Sequence, residues 1–319
     1  MPRSLVETML RARLGRGFST SPPSRCAMVR STALSVTLTA LLALPVSAQG
    51  PPAGGDLPEP TATLEYGADE LEFGELRMPE GPGPFPVVVT IHGGCWLDRL
   101  GQGSLRPVAA ALTAEGIATW DINYRRLGHE GGGWPGTFQD VGAGVDHLRV
   151  IARDYPIDLE RVVLAGHSSG AQLAVWAAGR SSLPATSEIR GDSPLPVRAA
   201  VGIDGPMDIE AWRSMGFDAE VCGGPVISEL MGGARDEVPG RYQAASPVEM
   251  PEIDADVFLT PAGMMLSLGG QSEMEERLKA KSVSIVPVSS SDHFQLITPT
   301  EEAWGPVLQA VLKALGGGP

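Results

Sequence analysis

The 319-residue sequence is short of positive charge. It has 24 lysines and arginines against 38 aspartates and glutamates, which gives a formal net charge of −14. No run of basic residues offsets this excess, so we expect no binding to nucleic acid or to anionic lipid surfaces. The three cysteines and five histidines show no zinc-ligand spacing, and no glycine-rich dinucleotide fingerprint is present. The sequence therefore predicts neither a metal nor a cofactor.

A long apolar run is also missing, although residues 1–48 have the features of a secretory signal. Arg30 precedes the apolar stretch 33–44, which is shorter than the ~20 residues that span a bilayer. Val46-Ser47-Ala48 supplies the small residues of a cleavage site. Met28 is an alternative start, and an uncleaved anchor is the alternative reading of the segment. We expect cleavage, a secreted or periplasmic product and no stable membrane insertion.

Cleavage would change both the charge and the cysteine content. The first 48 residues contain six arginines and one glutamate, so the remainder would carry a net charge of −19. It would keep Cys95 and Cys222 in a compartment that permits disulfides, but their spacing does not decide whether they pair. Residues 49–60 are rich in proline and glycine and are predicted to be a flexible linker. The folded domain is then 61–319.

Strand-like and helix-like segments alternate through this domain. An initial antiparallel hairpin is predicted near 61–66 and 70–78. Further strands are predicted near 86–91, 117–123, 161–166, 197–203, 257–260 and 283–288, and helices near 104–115, 138–153, 170–179, 271–281 and 301–315. The alternation predicts an α/β fold with a mostly parallel central sheet of about eight strands and helices on both faces.

The longest interruption of this alternation, about 205–255, is predicted to be a cap-like insertion over the site. Four of its large apolar residues are candidates for an acyl pocket or for core packing: Trp212, Met215, Met231 and Tyr242. Core packing is the more frequent fate of such side chains.

The most informative motif is Gly166-His167-Ser168-Ser169-Gly170. The apolar run 162–165 precedes it, and the helix-prone residues 171–178 follow it. This strand–turn–helix context is typical of a nucleophile elbow, in which glycines relieve steric clashes and the serine hydroxyl is exposed. Ser168 is therefore the candidate nucleophile. The alternative is an ordinary glycine-rich turn.

A second motif, His92-Gly93-Gly94-Cys95-Trp96, follows the strand-like segment 85–91. A strand that ends in a His-Gly-Gly loop supplies a backbone N–H donor of the oxyanion hole in lipases and esterases. Glycine lets the backbone approach a substrate oxygen without an intervening side chain. Gly93 and Gly94 are candidate donors, together with the N–H of Ser169. We expect His92 to brace this loop.

The general base follows the nucleophile in chains with this elbow, where the order is serine, acid, histidine. His293 is the only histidine after Ser168, and it lies in a polar loop after a predicted strand. It is therefore the candidate base. The remaining histidines are interpreted as structural or exposed, with His167 as a filler of the elbow: His129, His147 and His167.

The acid that should orient His293 is not evident. We expect it after the strand near 257–260, but the following segment, 261–270, contains no carboxylate. Asp204 and Glu273 are the remaining candidates. The first is also explained as a turn residue and the second as a charge at a helix N-terminus. Three further carboxylates are less suitable because of their positions: Asp254, Asp256 and Asp292.

Several segments together resemble the α/β-hydrolase superfamily, and within it bacterial esterases of the kynurenine formamidase-like and BD-FAE-type groups. The similarity spans roughly 61–316, and these segments carry it: 92–96, 118–126, 131–141, 166–170 and 292–294. The resemblance implies an α/β-hydrolase fold in which Ser168 is the nucleophile, His293 the base, and Gly93, Gly94 and Ser169 the oxyanion donors.

The predicted function is a serine hydrolase that cleaves small carboxylic esters through an acyl-enzyme intermediate. One alternative is an arylformamidase that cleaves N-formyl amides. Another is a hydrolase fold that has lost its acid and now serves for binding. The sequence does not indicate the acyl length, the physiological substrate or the oligomeric state.

Overall fold

The computed structural model describes residues 57–101, 103–263, 271–288 and 292–317. These residues belong to one compact unit. The predicted secretory signal and most of the predicted linker lie outside the described residues, so both stay predictions.

The described residues form one eight-stranded sheet in the order β1-β2-β4-β3-β5-β6-β7-β8. Its strands are β1 Ala62–Glu65, β2 Phe73–Arg77, β3 Phe85–Ile91, β4 Ala118–Ile122, β5 Ile157–His167, β6 Ala199–Ile203, β7 Ile253–Thr260 and β8 Ala280–Ile285. Strand β2 runs antiparallel to β1 and β4, and every other pair is parallel. The predicted α/β architecture, with its initial antiparallel hairpin, is confirmed.

Helices cover both faces of this sheet. They are α1 Arg106–Ala114, α2 Gly136–Asp146, α3 Leu148–Ile151, α4 Ser169–Gly179, α5 Ile209–Ser214, α6 Phe217–Cys222, α7 Val226–Met231, α8 Pro239–Ala245, α9 Gln271–Arg277 and α10 Trp304–Ala314. Val88 of β3 packs in the same cluster as Val307 of α10, and its neighbour Val89 packs with Trp176 of α4. Successive side chains of a strand point to opposite faces. The valine run of β3 is therefore buried from both sides, as in a parallel sheet.

Two predicted helix boundaries are wrong. The predicted helix 138–153 is divided into α2 and α3, which meet at His147. The predicted helix 271–281 ends at Arg277, since the Lys279 carbonyl already accepts a hydrogen bond from the N–H of Ile253 at 2.9 Å. Strand pairing with β7 therefore ends this helix earlier than its local sequence indicates.

The segment 205–255 contains the four short helices α5 to α8. Trp212, Met231 and Tyr242 are buried in the core, whereas Met215 is exposed. Core packing, and not an acyl pocket, is therefore the role of the three buried residues. No helix among the described residues is long and apolar enough to cross a membrane.

Candidate active site

Ser168 occupies the sharp turn between β5 and α4. Its φ of 57° lies in the left-handed region that non-glycine residues rarely adopt. The turn is tight enough that a Cβ at Gly166 would lie 1.9 Å from the carbonyl oxygen of Gly170, so glycine is required there. The Ser168 N–H donates to the Ile203 carbonyl at 2.9 Å, which ties the turn to the end of β6.

The His-Gly-Gly loop lies against this turn. A Cβ at Gly93 would be 2.8 Å from the Cβ of Ser168, so the loop backbone contacts the candidate nucleophile directly. Ser169 is the first residue of α4, and the first N–H groups of a helix have no intrahelical partner. The N–H of Trp96 donates to the Ser169 hydroxyl at 3.4 Å. The structure therefore brings the predicted oxyanion segments together beside Ser168.

A disulfide connects this loop to the insertion. Cys95 and Cys222 are bonded, with their Cα atoms 5.7 Å apart. The Arg99 guanidinium adds a hydrogen bond to the Cys222 carbonyl at 3.3 Å. The sequence left this pairing open, because 127 residues separate the two cysteines.

His293 is paired with a carboxylate. Its Nδ1 lies 2.8 Å from Oδ2 of Asp204, a fully buried side chain that directly follows β6. The other oxygen of Asp204, Oδ1, accepts a hydrogen bond from the N–H of Ala262 at 2.9 Å. The Asp204 N–H donates to the Thr260 carbonyl at 3.2 Å. The carboxylate is thus anchored between the ends of β6 and β7.

The expected position of the acid, in the segment after β7, is wrong. That segment contributes the backbone N–H of Ala262, while the carboxylate comes from the end of β6. The other candidate, Glu273, is 52% exposed and lies 3.4 Å from Arg277 in the same helix. Asp292 accepts a hydrogen bond from the N–H of Phe294 at 2.8 Å. Asp204 is therefore the carboxylate that orients His293.

The interpretation of His167 as a filler of the elbow is also wrong. Its Nε2 lies 3.0 Å from the carbonyl oxygen of His293, and the two rings are 4.1 Å apart. Burial, reinforced by the proximity of His293, holds the pKa of His167 well below its ordinary value. The neutral ring therefore donates Nε2–H to that carbonyl and positions the backbone of His293. Nothing in the variable second position of the elbow motif indicated this contact.

His92 braces its loop as expected. Its Nδ1 lies 2.8 Å from the Gly93 carbonyl, and the Tyr124 hydroxyl donates to the His92 carbonyl at 2.7 Å. Burial and the nearby Arg126 guanidinium lower the pKa of His92 to about 4, against a smaller opposing effect of the hydrogen bond to the Gly93 carbonyl. This histidine is neutral at physiological pH.

No group of three or more His, Cys, Asp or Glu side chains within the described ranges could hold a metal ion.

Known proteins resemble the chain in sequence and in structure. A family model described as BD-FAE matches residues 76–259, more than half of the chain. Esterase LipQ of Mycobacterium tuberculosis is 25% identical over 178 residues, which cover 56% of this chain and 41% of LipQ. Esterase LipC of the same organism is 28% identical over 235 residues, which cover 69% of this chain and 55% of LipC. The chain spans about half the length of these two relatives.

A solved structure described as a truncated form of a carbohydrate esterase from gut microbiota has the same fold. It matches with a TM-score of 0.64 at 20% identity, covering 83% of this chain and 99% of that one. The sheet order and this match agree with the family model. The chain therefore belongs to the BD-FAE family and has the α/β-hydrolase fold.

Proposed function

We propose that this protein is a serine hydrolase that cleaves small carboxylic esters, with Ser168 as nucleophile and His293 as general base. The observation that carries the proposal is the convergence of three distant segments. The strained elbow, the His293–Asp204 pair and the glycine loop all meet at the ends of neighbouring strands. A structural turn needs neither an oriented imidazole nor a close glycine backbone.

The geometry supports one sequence of steps. Asp204 accepts the Nδ1–H of His293, which leaves Nε2 unprotonated and able to take the proton of the Ser168 hydroxyl. The serine oxygen then attacks the acyl carbon, and the oxyanion is stabilised by backbone N–H groups of Gly93, Gly94 and Ser169. His293 returns the proton to the leaving alcohol. Water activated by the same imidazole then hydrolyses the acyl-enzyme.

Support for an ester substrate comes from the relatives, since both matched mycobacterial proteins are named esterases. The alternative of a weakened hydrolase used for binding rested on a missing acid, and the Asp204–His293 hydrogen bond removes that reason. The formamidase alternative concerns the bond that is cleaved, so turnover of an N-formyl amide against an acetyl ester distinguishes it.

Substitution of Ser168 and His293, with the neighbouring Ser169 as a control, tests the proposal. Ser168→Ala and His293→Ala are expected to lower kcat for a short-chain nitrophenyl ester by a factor on the order of 10⁴ or more. Ser169→Ala is the matched control, because it keeps the backbone N–H and is expected to retain most turnover. A fluorophosphonate probe should label wild type and the control but not Ser168→Ala. Wild-type turnover in Ser168→Ala would refute the assignment.

We also propose export to a secreted or periplasmic location. A disulfide between Cys95 and Cys222 supports an oxidising compartment. Fractionation of the native host and N-terminal sequencing of the recovered protein test this proposal, and a start at Gln49 is expected. Recovery of the full-length chain with a cytoplasmic marker would contradict it.

A further inference from the structure

Arg126 is a buried cation whose guanidinium lies 5.7 Å from the centroid of the Tyr124 ring. Burial lowers the pKa of Arg126, and the weaker effects of Tyr124 and Asp98 oppose this. Arg126 is 1% exposed, and no carboxylate among the described residues forms a salt bridge with it. The comparably buried Arg180 pairs with Asp146 at 2.6 Å, and Arg77 pairs with Glu75 at 3.2 Å. Burying a charge without a salt bridge is costly. The position of Arg126 therefore calls for another explanation.

The guanidinium of Arg126 contacts an imidazole. Its Nη1 lies 3.0 Å from Nε2 of His92. Arginine has only donors, so Nε2 must be the unprotonated acceptor. A neutral imidazole carries a single proton, which then lies on Nδ1, 2.8 Å from the Gly93 carbonyl oxygen. Arg126 thus selects the tautomer in which His92 donates to Gly93.

This donation fixes the direction of a neighbouring N–H group. The carbonyl of Gly93 and the N–H of Gly94 belong to one planar trans peptide and point in opposite directions. The preceding peptide is held as well, because the Tyr124 hydroxyl donates to the His92 carbonyl at 2.7 Å. Two successive peptides of the loop beside Ser168 are therefore each held by a specific hydrogen bond.

We propose that Arg126 is a positioning residue for the oxyanion hole, acting through His92 to keep the Gly94 N–H aimed at the acyl oxygen. The proposal rests on the hydrolase function proposed above. Without the guanidinium, the imidazole is free to carry its proton on Nε2. The Nδ1 lone pair would then face the Gly93 carbonyl and repel it, so that the peptide is no longer held in the productive orientation.

The tautomer of His92 can be measured independently of catalysis. Long-range ¹H–¹⁵N spectra distinguish the two neutral forms of imidazole, and the chain contains five histidines. His92 is assigned by the signal that disappears in His92→Gln. We expect Nδ1–H in wild type between pH 6 and 8, and a shift to Nε2–H in Arg126→Met. A wild-type Nε2–H tautomer, or an unchanged spectrum in Arg126→Met, would overturn the inference.

Kinetics provide the second measurement. Arg126→Met is expected to lower kcat for a short-chain ester about 100-fold, with KM within about twofold, as for loss of one oxyanion donor. Arg126→Lys retains a charged donor and should restore at least a tenth of the wild-type rate. Arg180→Met is the control, because it removes an equally buried arginine outside this network and should leave kcat of the folded protein unchanged.

The outcomes separate the two proposals. Suppose that the wild type is active, that its activity depends on Ser168, and that Arg126→Met is fully active. This result refutes only the role of Arg126 and leaves the hydrolase assignment intact. Full activity in Ser168→Ala refutes the hydrolase assignment, while the tautomer measurement still tests the Arg126–His92 contact. If Arg126→Met does not fold, the wild-type spectrum and the rate of Arg126→Lys decide the question.

Discussion

The carboxylate of Asp204 determines which nitrogen of His293 carries a proton. One oxygen accepts from Nδ1 and the other from the N–H of Ala262, so the carboxylate is held in a single orientation. It is fully buried, and a low local dielectric strengthens its attraction to the imidazolium that the proposed mechanism forms. A group in this position is expected to affect the chemical step more than substrate binding.

Asp204→Asn tests this expectation. The carboxamide presents N–H groups to Nδ1 and favours the wrong imidazole tautomer. We expect kcat for a short-chain ester to fall by about 10³–10⁴, with KM changed by less than about threefold. Glu273→Gln is the control, because that exposed side chain interacts with Arg277, and it should stay within about twofold of wild type. Equal rates for Asp204→Asn and wild type would contradict the assignment.

A second buried carboxyl, that of Asp121 in β4, is predicted to limit stability. Burial raises the pKa of Asp121 to about 6. The Thr90 hydroxyl donates a hydrogen bond to the carboxylate, which opposes part of this increase. Glu75, its cross-strand neighbour, raises the pKa further, while Arg77 and Arg106 lower it. The pKa in the folded state lies above the ordinary value, so the folded protein binds the proton more tightly. Stability from this group is present at low pH and is lost as the pH rises to about 6.

Asp121→Asn should therefore raise the free energy of unfolding at pH 7.5 by about 1–3 kcal/mol. Below pH 4 the substitution should leave the free energy of unfolding unchanged. Thermal unfolding at several pH values provides the measurement. Asp158→Asn is the control of opposite sign, because a hydrogen bond from Arg161 lowers the pKa of Asp158. Its loss should destabilise the protein slightly at pH 7.5. An unchanged Tm for Asp121→Asn at both extremes of pH would contradict this interpretation.

The loop after β3 and the helix α6 behave as one connected element. The Cys95–Cys222 disulfide and the Arg99–Cys222 hydrogen bond join them. On the other side of the loop, Trp96 donates through its indole N–H to the Gln172 side chain at 3.2 Å. The His-Gly-Gly loop is thus held from the insertion and from α4 together. Its geometry depends on both of these contacts.

Removing the disulfide in Cys95→Ala/Cys222→Ala should lower the free energy of unfolding by about 2–4 kcal/mol, because the closed loop is long. Differential scanning calorimetry measures the change. Dithiothreitol is the matched control: it should lower the Tm of the wild type and leave that of the double variant unchanged. Equal Tm values for oxidised wild type and variant would show that the unfolded chain is not constrained by this bond.

At the scale of the whole molecule, negative charge predominates. The formal net charge is −14, and a field of one sign influences how charged ligands approach a protein. At 0.1 M salt, the field of an exposed charge is largely screened beyond about 10 Å. At low ionic strength the field extends much farther. Repulsion of anionic substrates should therefore depend on salt.

Two nitrophenyl esters of similar length test this effect. We expect kcat/KM for the anionic nitrophenyl hemisuccinate to rise at least threefold between 0.01 and 0.5 M salt. The neutral butyrate ester should change by less than about 1.5-fold over the same range, which controls for other effects of salt. Parallel salt dependence for both esters would exclude electrostatic discrimination by the protein.

The sequence predicts the features whose physical cause lies in neighbouring residues, and it does not predict those that depend on contacts between distant segments. The elbow and the His-Gly-Gly loop are short segments whose glycines and flanking strands act on their own neighbours, so both were found at the predicted positions. Asp204 and His293 are 89 residues apart, and their contact depends on which strands are adjacent in the sheet. The disulfide and the His167–His293 hydrogen bond depend on the same tertiary arrangement. Local sequence carries no signal for such contacts.

The anchoring of Asp204 has a consequence for how freely its surroundings can change. Ala262 contributes a main-chain N–H and a small buried side chain, so any residue of similar size that keeps the N–H would preserve the hydrogen bond, whereas proline has no hydrogen to offer. Asp204 follows the strand next to the one that leads into Ser168, and Ala262, just after β7, supports it with a backbone N–H. Substitutions of Ala262 are therefore expected to preserve the orientation of Asp204, provided that the amide at this position remains in place.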